Sequence, residues 1–117
     1  MGLKEIAKLD RLKELLLDGT NVTDAGLKEL APLKQLKQLQ ISATHVTDAG
    51  VKHLLPLKSL GSLDLSGTEV SDEGLKTIAL FGNLESLAVY NANVSAAGVA
   101  ELKKTLAKCY VGSKFDK

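Results

Sequence analysis

The chain has 117 residues, a length that suits one small domain, and its 44% apolar and 25% charged residues are ordinary for a globular protein. Aromatic residues make up only 3%, too few ring faces for base-stacking platforms or aromatic cages, and the net charge of +1 gives no basic footprint for nucleic acid. These values exclude disordered and collagen-like classes and argue against a nucleic-acid-binding protein.

The chain begins with a helical half-unit. Residues 1–11 match the second half of the repeat described next, so we expect a short helix that covers the first end of a stack. Charged residues interrupt every apolar stretch here, so we expect no signal-peptide core. No apolar run in the chain approaches the roughly 20 residues that span a bilayer. We therefore expect a soluble chain with no membrane contact.

A 24-residue repeat organises the sequence from Leu12 onward. Four units follow one another without insertion: residues 12–35, 36–59, 60–83 and 84–107. In each unit the first, fourth, sixth, eleventh, sixteenth, nineteenth and twenty-second residues are aliphatic or Phe, with Thr105 as the single exception. A regular period of this length predicts a solenoid, in which neighbouring units bury a continuous core.

Each unit changes its apolar period partway through. The alternation of Leu15 and Leu17 predicts a short strand with one buried face. The spacing of three between Leu27, Leu30 and Leu33 predicts a short helix or a tighter 3-10 helix. The same pattern recurs in the other units.

The turn between strand and helix carries a repeated set of capping residues. A hydroxyl-bearing residue occupies the expected N-cap position of every unit: Thr23, Thr47, Ser71 and Ser95. An aspartate follows in three units, where the helix dipole favours it: Asp24, Asp48 and Asp72. Each aspartate has a lysine four residues later: Lys28, Lys52 and Lys76. This spacing predicts Asp–Lys pairs on an exposed outer face and explains the aspartates better than a stacked cation site does.

Glycines and prolines recur at fixed positions of the repeat. A glycine recurs every 24 residues, two residues after the aspartate position of each complete unit and also in the leading half-unit: Gly2, Gly26, Gly50, Gly74 and Gly98. Because glycine is unfavourable inside a helical turn, its recurrence predicts that neighbouring units approach too closely there for a Cβ atom. We expect Pro32 and Pro56 to end the first two helices and Gly82 to end the third.

The last ten residues, 108–117, match the start of another strand, in which Val111 is equivalent to Leu15. We therefore expect five short parallel strands. Cys109, the only cysteine, lies beside this strand, so packing and not disulfide bonds must stabilise the fold. We expect its thiol to be partly buried and inert.

The unit LKELLLDGTNVTDAGLKELAPL resembles the leucine-rich repeat, in particular that of bacterial proteins with tandem T-x-V-T-D-A-G-L units. It is also similar to the cysteine-containing repeats of F-box adaptor proteins, although Thr20, Thr44 and Thr68 stand where those carry Cys or Asn. The resemblance covers residues 2 to 111. It implies an α/β solenoid, a short horseshoe arc with a parallel sheet of about five strands on its concave face and short helices on its convex face.

The fourth unit departs from this pattern. Ala92 interrupts the threonine series and Ala96 interrupts the aspartate series, which predicts a looser turn there. For function, the resemblance implies a binding scaffold and does not specify a ligand.

The strand residues outside the apolar set are expected to line the concave face. They are Glu14, Leu16, Asp18, Gln38, Gln40, Ser42, Ser62, Asp64, Ser66, Ser86, Ala88 and Tyr90, with Tyr110 and Gly112 as further candidates. Leu16 and the tyrosines are the members most typical of an interface, and the others are small or polar. The face is either a binding surface for a protein or peptide partner or a merely solvated sheet face, and the sequence weights the two equally.

No catalytic, metal or cofactor site is expected. His45 in a turn and His53 on an outer helix share no metal-ligand spacing. Asp64 has serine neighbours on the predicted face, but no histidine is available there as a base. We therefore expect a non-enzymatic protein–protein interaction scaffold, monomeric in the simplest case. The alternative is a structural or assembly element: a segment of a longer repeat array, or a self-associating module that uses the exposed edge of the first strand.

Overall fold

Five short strands form one parallel sheet in the order β1-β2-β3-β4-β5 in the computed structural model, which describes residues 3–115. The strands are β1 Glu14–Leu16, β2 Gln38–Gln40, β3 Ser62–Asp64, β4 Ser86–Ala88 and β5 Tyr110–Gly112. Each strand residue pairs with the residue 24 positions later, as Leu15 does with Leu39. The register of the sheet therefore follows the 24-residue period of the sequence. The predicted five-stranded parallel arrangement is confirmed.

Short helices connect the strands. They are α1 Leu3–Ile6, α2 Asp24–Leu27, α3 Asp48–His53, α4 Asp72–Ile78 and α5 Ala96–Thr105. A 3-10 turn, Lys28–Leu30, continues α2, as the spacing of three predicts. The first two helical segments end shortly before Pro32 and Pro56, as expected. Gly82 does not end the third: α4 closes at Ala79, in ordinary right-handed conformation.

The core lies between the sheet and the helices. Nearly every member of the apolar set is buried, and the exceptions are Leu12, Leu17, Val22 and Thr105. The first three belong to the first unit, which has a neighbouring strand on one side only. On the helical side Leu3 and Ile6 of α1 pack against the core, as expected of a leading half-unit. Residues 1, 2, 116 and 117, and with them the prediction for Gly2, lie outside the described residues.

The residue at the eighth position of each unit adopts a left-handed backbone conformation, a feature that the repeat pattern did not reveal. The four residues are Gly19, Ala43, Gly67 and Asn91, with φ between +54° and +71°. They turn the chain after each strand, and in three units the next residue, a threonine, fixes the turn. Thr44 Oγ1 donates to the Ile41 carbonyl at 2.7 Å, and Thr20 and Thr68 make the equivalent bond. Ala92 has no hydroxyl, so the fourth turn lacks this bond. Asn91 nevertheless keeps the same backbone conformation.

The aspartates do not pair with lysines but join successive repeats. Asp48 Oδ1 accepts the backbone N–H of Ser71 at 2.7 Å, and Asp48 Oδ2 accepts its hydroxyl at 2.5 Å. Asp24 binds Thr47 and Asp72 binds Ser95 in the same way. The predicted Asp–Lys pairs are therefore wrong, because the carboxylates face the next cap. On the exposed side Lys76 instead forms an ion pair with Glu73 at 3.1 Å.

This arrangement also decides which hydroxyls cap a helix. Thr47, Ser71 and Ser95 each accept a backbone N–H from the first turn of their helix while donating to an aspartate. Thr23 occupies the same position but makes no side-chain cap bond, contrary to expectation. No aspartate from a preceding repeat contacts its hydroxyl among the described residues, so nothing orients it toward the helix.

The recurrent glycines make room for these aspartates, which confirms the predicted close approach. A Cβ atom on Gly74 would lie 2.5 Å from Asp48 Oδ1, and a Cβ atom on Gly50 or Gly98 would collide with the carboxylate of the preceding repeat. At Gly26, the first of the described series, the neighbour is the Leu3 side chain, at 3.0 Å. One contact therefore recurs between units. It joins the aspartate of one unit to the serine or threonine cap and the glycine of the next.

Candidate functional site

The predicted concave-face residues lie on the side of the sheet opposite the helices, and the strand register arranges them in rows. The first row is Glu14, Gln38, Ser62, Ser86 and Tyr110. The second row is Leu16, Gln40, Asp64, Ala88 and Gly112. The residues just after the strands make a third row of Asp18, Ser42, Ser66 and Tyr90. Because neighbouring strands are about 4.8 Å apart, adjacent members of a row are close enough to contact one partner. We call these three rows the concave face.

Its exposed apolar residues lie at the two ends of the arc. Leu16 is 60% exposed on β1, and Tyr110 is 64% exposed on β5. Tyr90, which follows β4, is 41% exposed. Between them the face is small and polar, and its central residues are only partly exposed. Tyrosines are over-represented among the anchors of protein interfaces, and on this face they lie at one end, with Leu16 at the other and polar residues between.

Hydrogen bonds hold the polar part of the concave face in place. Asp18 Oδ1 accepts both the backbone N–H and the hydroxyl of Ser42, at 2.9 and 2.7 Å. Asp64 Oδ1 accepts the N–H of Ser66 at 2.9 Å, and Ser66 Oγ accepts the N–H of Tyr90 at 3.0 Å. These bonds fix the carboxylates and hydroxyls without consuming all their acceptor capacity, so a partner can still donate hydrogen bonds to them.

Tyr90 packs across the last strand. A Cβ atom added to Gly112 would lie 2.6 Å from Tyr90 Oη and 2.9 Å from Cζ, so the ring covers this glycine. Gly112 is consequently buried and is not a contact residue, contrary to its inclusion among the further candidates. Tyr90 contributes both to the packing of β5 and to the exposed face. The repeat register assigns Tyr90 to a row of the face. It does not say which way the side chain leans, so the contact between its ring and Gly112 could not be predicted from the sequence.

The other chemistry-bearing residues do not converge. His45 lies exposed in the turn before α3, and His53 lies at the end of that helix. Within residues 3–115 no cluster of three or more histidine, cysteine or acidic side chains could hold a metal ion. Cys109 is buried, and burial raises the pKa of its thiol. None of the helices described is long and apolar enough to cross a membrane.

Comparison with known proteins agrees with this geometry. A family model described as a leucine-rich repeat matches residues 57–79. A leucine-rich repeat protein of Leptospira interrogans aligns over 92% of this chain at 27% identity, with a TM-score of 0.71. An internalin of Listeria monocytogenes aligns over 97% at 23% identity, with a TM-score of 0.62. The chain spans 27% and 38% of the lengths of these two proteins.

A third structural neighbour is actin-binding site 2 of leiomodin-1, at 15% identity and a TM-score of 0.73, which covers 98% of this chain and 78% of that one. At this identity the likeness is one of fold. A search of curated proteins finds no match.

Proposed function

We propose that this chain, which is a leucine-rich repeat protein, is a non-enzymatic interaction module that binds a protein or peptide partner through its concave face. The observation that carries the proposal is the placement of exposed apolar side chains at both ends of one continuous face. Leu16 and Tyr110 lie on the two outermost strands, and a hydrogen-bonded polar centre separates them. The fold itself is typical of protein-interaction modules, and one structural neighbour is named as an actin-binding site.

The concave face also indicates how such a partner would be recognised. Its carboxylates, Glu14, Asp18 and Asp64, face no lysine or arginine among the residues of the three rows. The glutamines and serines add donors and acceptors in fixed positions. An extended or helical segment with apolar residues toward its ends and hydrogen-bond donors between them would complement this surface.

The decisive experiment compares how well the unaltered chain and its variants retain a protein partner in affinity capture. Leu16→Glu and Tyr110→Ala alter the two ends of the concave face, whereas Leu80→Glu alters an equally exposed leucine just after α4. A true partner is retained by the unaltered chain and by Leu80→Glu, and is lost or strongly reduced with the other two variants. Titration of the purified partner by calorimetry then measures each loss. Equal binding by all variants with unchanged circular dichroism would overturn the proposal.

A second candidate function is self-association through the edge of β1. No strand pairs with the outer side of β1 among residues 3–115, and Leu16 lies on that strand. Unpaired strand edges are templates for pairing with another chain. Light scattering across concentration separates the two functions: a mass that rises with concentration and returns to that of one chain with Leu16→Glu supports self-association.

A further inference from the structure

The charges of this nearly neutral chain are separated between the two edges of the sheet at which the strands begin and end. Because all five strands are parallel, the segments that enter them lie at one edge and the turns that leave them lie at the other. The four turns, residues 18–26, 42–50, 66–74 and 90–98, carry six acidic residues and no lysine or arginine. The entering segments, residues 8–14, 32–38, 56–62, 80–86 and 104–110, carry eight basic residues and three acidic ones.

Most acidic residues of the turns have a partner in the fold, whereas most basic residues of the entering segments do not. Asp24, Asp48 and Asp72 bind the caps of the following repeats. Of the eight basic residues, Lys8 and Lys104 pair with glutamates three residues earlier, Glu5 and Glu101. The other six form no ion pair with any residue that the structure describes: Arg11, Lys13, Lys34, Lys37, Lys58 and Lys108.

Two of these lysines are held side by side. The Lys13 carbonyl accepts the backbone N–H groups of Lys37 and Gln38, at 2.8 and 3.0 Å. The Lys37 carbonyl accepts those of Gly61 and Ser62 in the same way, at 2.9 and 3.0 Å. These bonds stack the lysines one strand spacing apart, about 4.8 Å. Both lysines therefore start from neighbouring positions at the same side of the sheet, so one anionic ligand can contact both.

A hollow opens beside this pair, where two glycines replace longer side chains. Lys13, Lys37 and Lys108 line it together with Gly61 and Gly82. A Cβ atom at Gly61 would meet nothing closer than 3.7 Å, and one at Gly82 would meet nothing within 4 Å. Neither glycine has a left-handed backbone. Packing and conformation therefore do not require them, and their effect is to leave space between the lysines.

We propose that this basic hollow binds an acidic segment of a protein partner. Lysines on both sides would neutralise its carboxylates, while Ser59, Ser62 and Asn83 supply polar groups for its backbone. Because Glu14 and Glu85 also line the hollow, its three lysines suit a segment with a few spaced carboxylates better than a continuous row of phosphates. The inference goes beyond the proposed function, since the hollow adjoins the concave face at Glu14 and Ser62 but needs no contact with Leu16 or Tyr110.

Fluorescence anisotropy with a labelled peptide of alternating glutamate and serine tests this inference. Lys13→Glu/Lys37→Glu should weaken binding by roughly tenfold or more, which corresponds to about 1.4 kcal/mol. The matched control Lys28→Glu/Lys52→Glu changes net charge equally on the helical side and should weaken binding by less than about twofold. Gly61→Gln and Gly82→Gln fill the hollow without changing its charge and should also weaken binding. Circular dichroism checks that each variant is folded.

Three outcomes would overturn the inference. Equal weakening by the two charge-reversed variants would show attraction to net charge alone. Unchanged binding by both glycine variants would place the peptide outside the hollow. Tighter binding to vesicles containing phosphatidylglycerol, or to a short duplex DNA, than to the peptide would assign the basic edge to another class of ligand. Because no variant alters the ends of the concave face, failure here leaves the proposed function untouched.

Discussion

The Asp72 carboxylate binds both the backbone N–H and the hydroxyl of Ser95, at 2.8 and 2.6 Å, across the boundary between two repeats. The Ser95 hydroxyl in turn accepts the N–H of Gly98 at 3.0 Å, which caps the next helix. One carboxylate therefore links the start of α4 to the start of α5. The same contact occurs at the two preceding boundaries, so the adhesion between repeats is partly polar and is not supplied by leucine packing alone.

We predict that Gly98→Ala destabilises the unaltered chain but stabilises a chain in which Asp72 is replaced by alanine. In the unaltered chain the new Cβ would displace the Asp72 carboxylate from Ser95, which should lower the free energy of unfolding by about 1–2 kcal/mol. In an Asp72→Ala background the three nearest neighbours of that Cβ, all carboxylate atoms, are gone, and alanine should stabilise α5 by about 1 kcal/mol relative to glycine. Urea unfolding of the four chains measures both steps. An equal loss in both backgrounds would mean that the glycine serves another purpose.

We predict that Asp72 contributes to an acid-sensitive part of the stability. The hydrogen bonds from Ser95, with a smaller contribution from Lys76, hold the pKa of Asp72 below its usual value of 3.8. A carboxyl whose pKa is lower in the folded than in the unfolded chain stabilises the fold above pH 4 and loses that contribution as pH falls through its folded pKa. Between pH 5 and pH 2.5, Asp72→Ala should therefore lose less stability than the unaltered chain. Ser95→Ala removes the hydroxyl that donates to Asp72 and should reduce the acid-dependent loss in the same direction.

We predict that Ala92→Thr stabilises the fourth repeat. Thr44 and Thr68 occupy the equivalent buried position and close their turns with a hydroxyl bond to the preceding strand. Threonine at position 92 would make that bond to the Val89 carbonyl and should raise the free energy of unfolding by about 0.5–1.5 kcal/mol. Conversely, Thr68→Val should lower it by about 1–3 kcal/mol. Ala92→Val has nearly the shape of Ala92→Thr, so equal gains from both would attribute the effect to packing and not to the hydroxyl.

The fold was predictable because most of its determinants are local and periodic. Leu15 and Leu17 indicated the strand, and Leu27 and Leu30 the short helix, since the period of burial follows from the geometry of each element. The left-handed residue of each turn was partly visible in the sequence. Three of the four units have glycine or asparagine there, Gly19, Gly67 and Asn91, but Ala43 interrupts the series. Asparagine and glycine adopt this conformation far more readily than alanine does.

The partners of polar side chains were harder to predict than the elements that carry them. From sequence spacing, Lys76 and Ser95 are both reasonable partners for Asp72, four residues away on the same helix or 23 residues away on the next repeat. The distance between repeats decides between them, and only the recurrent glycines hinted that this distance is short. The three rows of the concave face followed directly from the register, whereas the basic hollow depends on loops whose paths the repeat pattern does not specify.

We predict that the Cys109 thiol reacts slowly in the folded chain. Burial raises its pKa, so little of the nucleophilic thiolate is present at neutral pH, and the side chain is 8% exposed. Its reaction with Ellman's reagent at pH 8 should be at least about tenfold slower than in 6 M guanidinium chloride. A native rate close to the denatured one would mean that β5 opens readily or that the thiol is accessible.

We predict that Tyr90 and Gly112 are energetically coupled, which determines how the concave face must be tested. Gly112→Ala should destabilise the chain by about 0.5–1.5 kcal/mol, because its Cβ would force the end of the Tyr90 ring to shift from its present position. Adding Tyr90→Ala removes the overlap, so the double variant should be less destabilised than the sum of the two single changes. Additive losses in urea unfolding would contradict the coupling. If the coupling holds, Tyr90→Ala disturbs β5 as well as any partner, so the exposed Tyr110 is the cleaner aromatic residue for binding experiments.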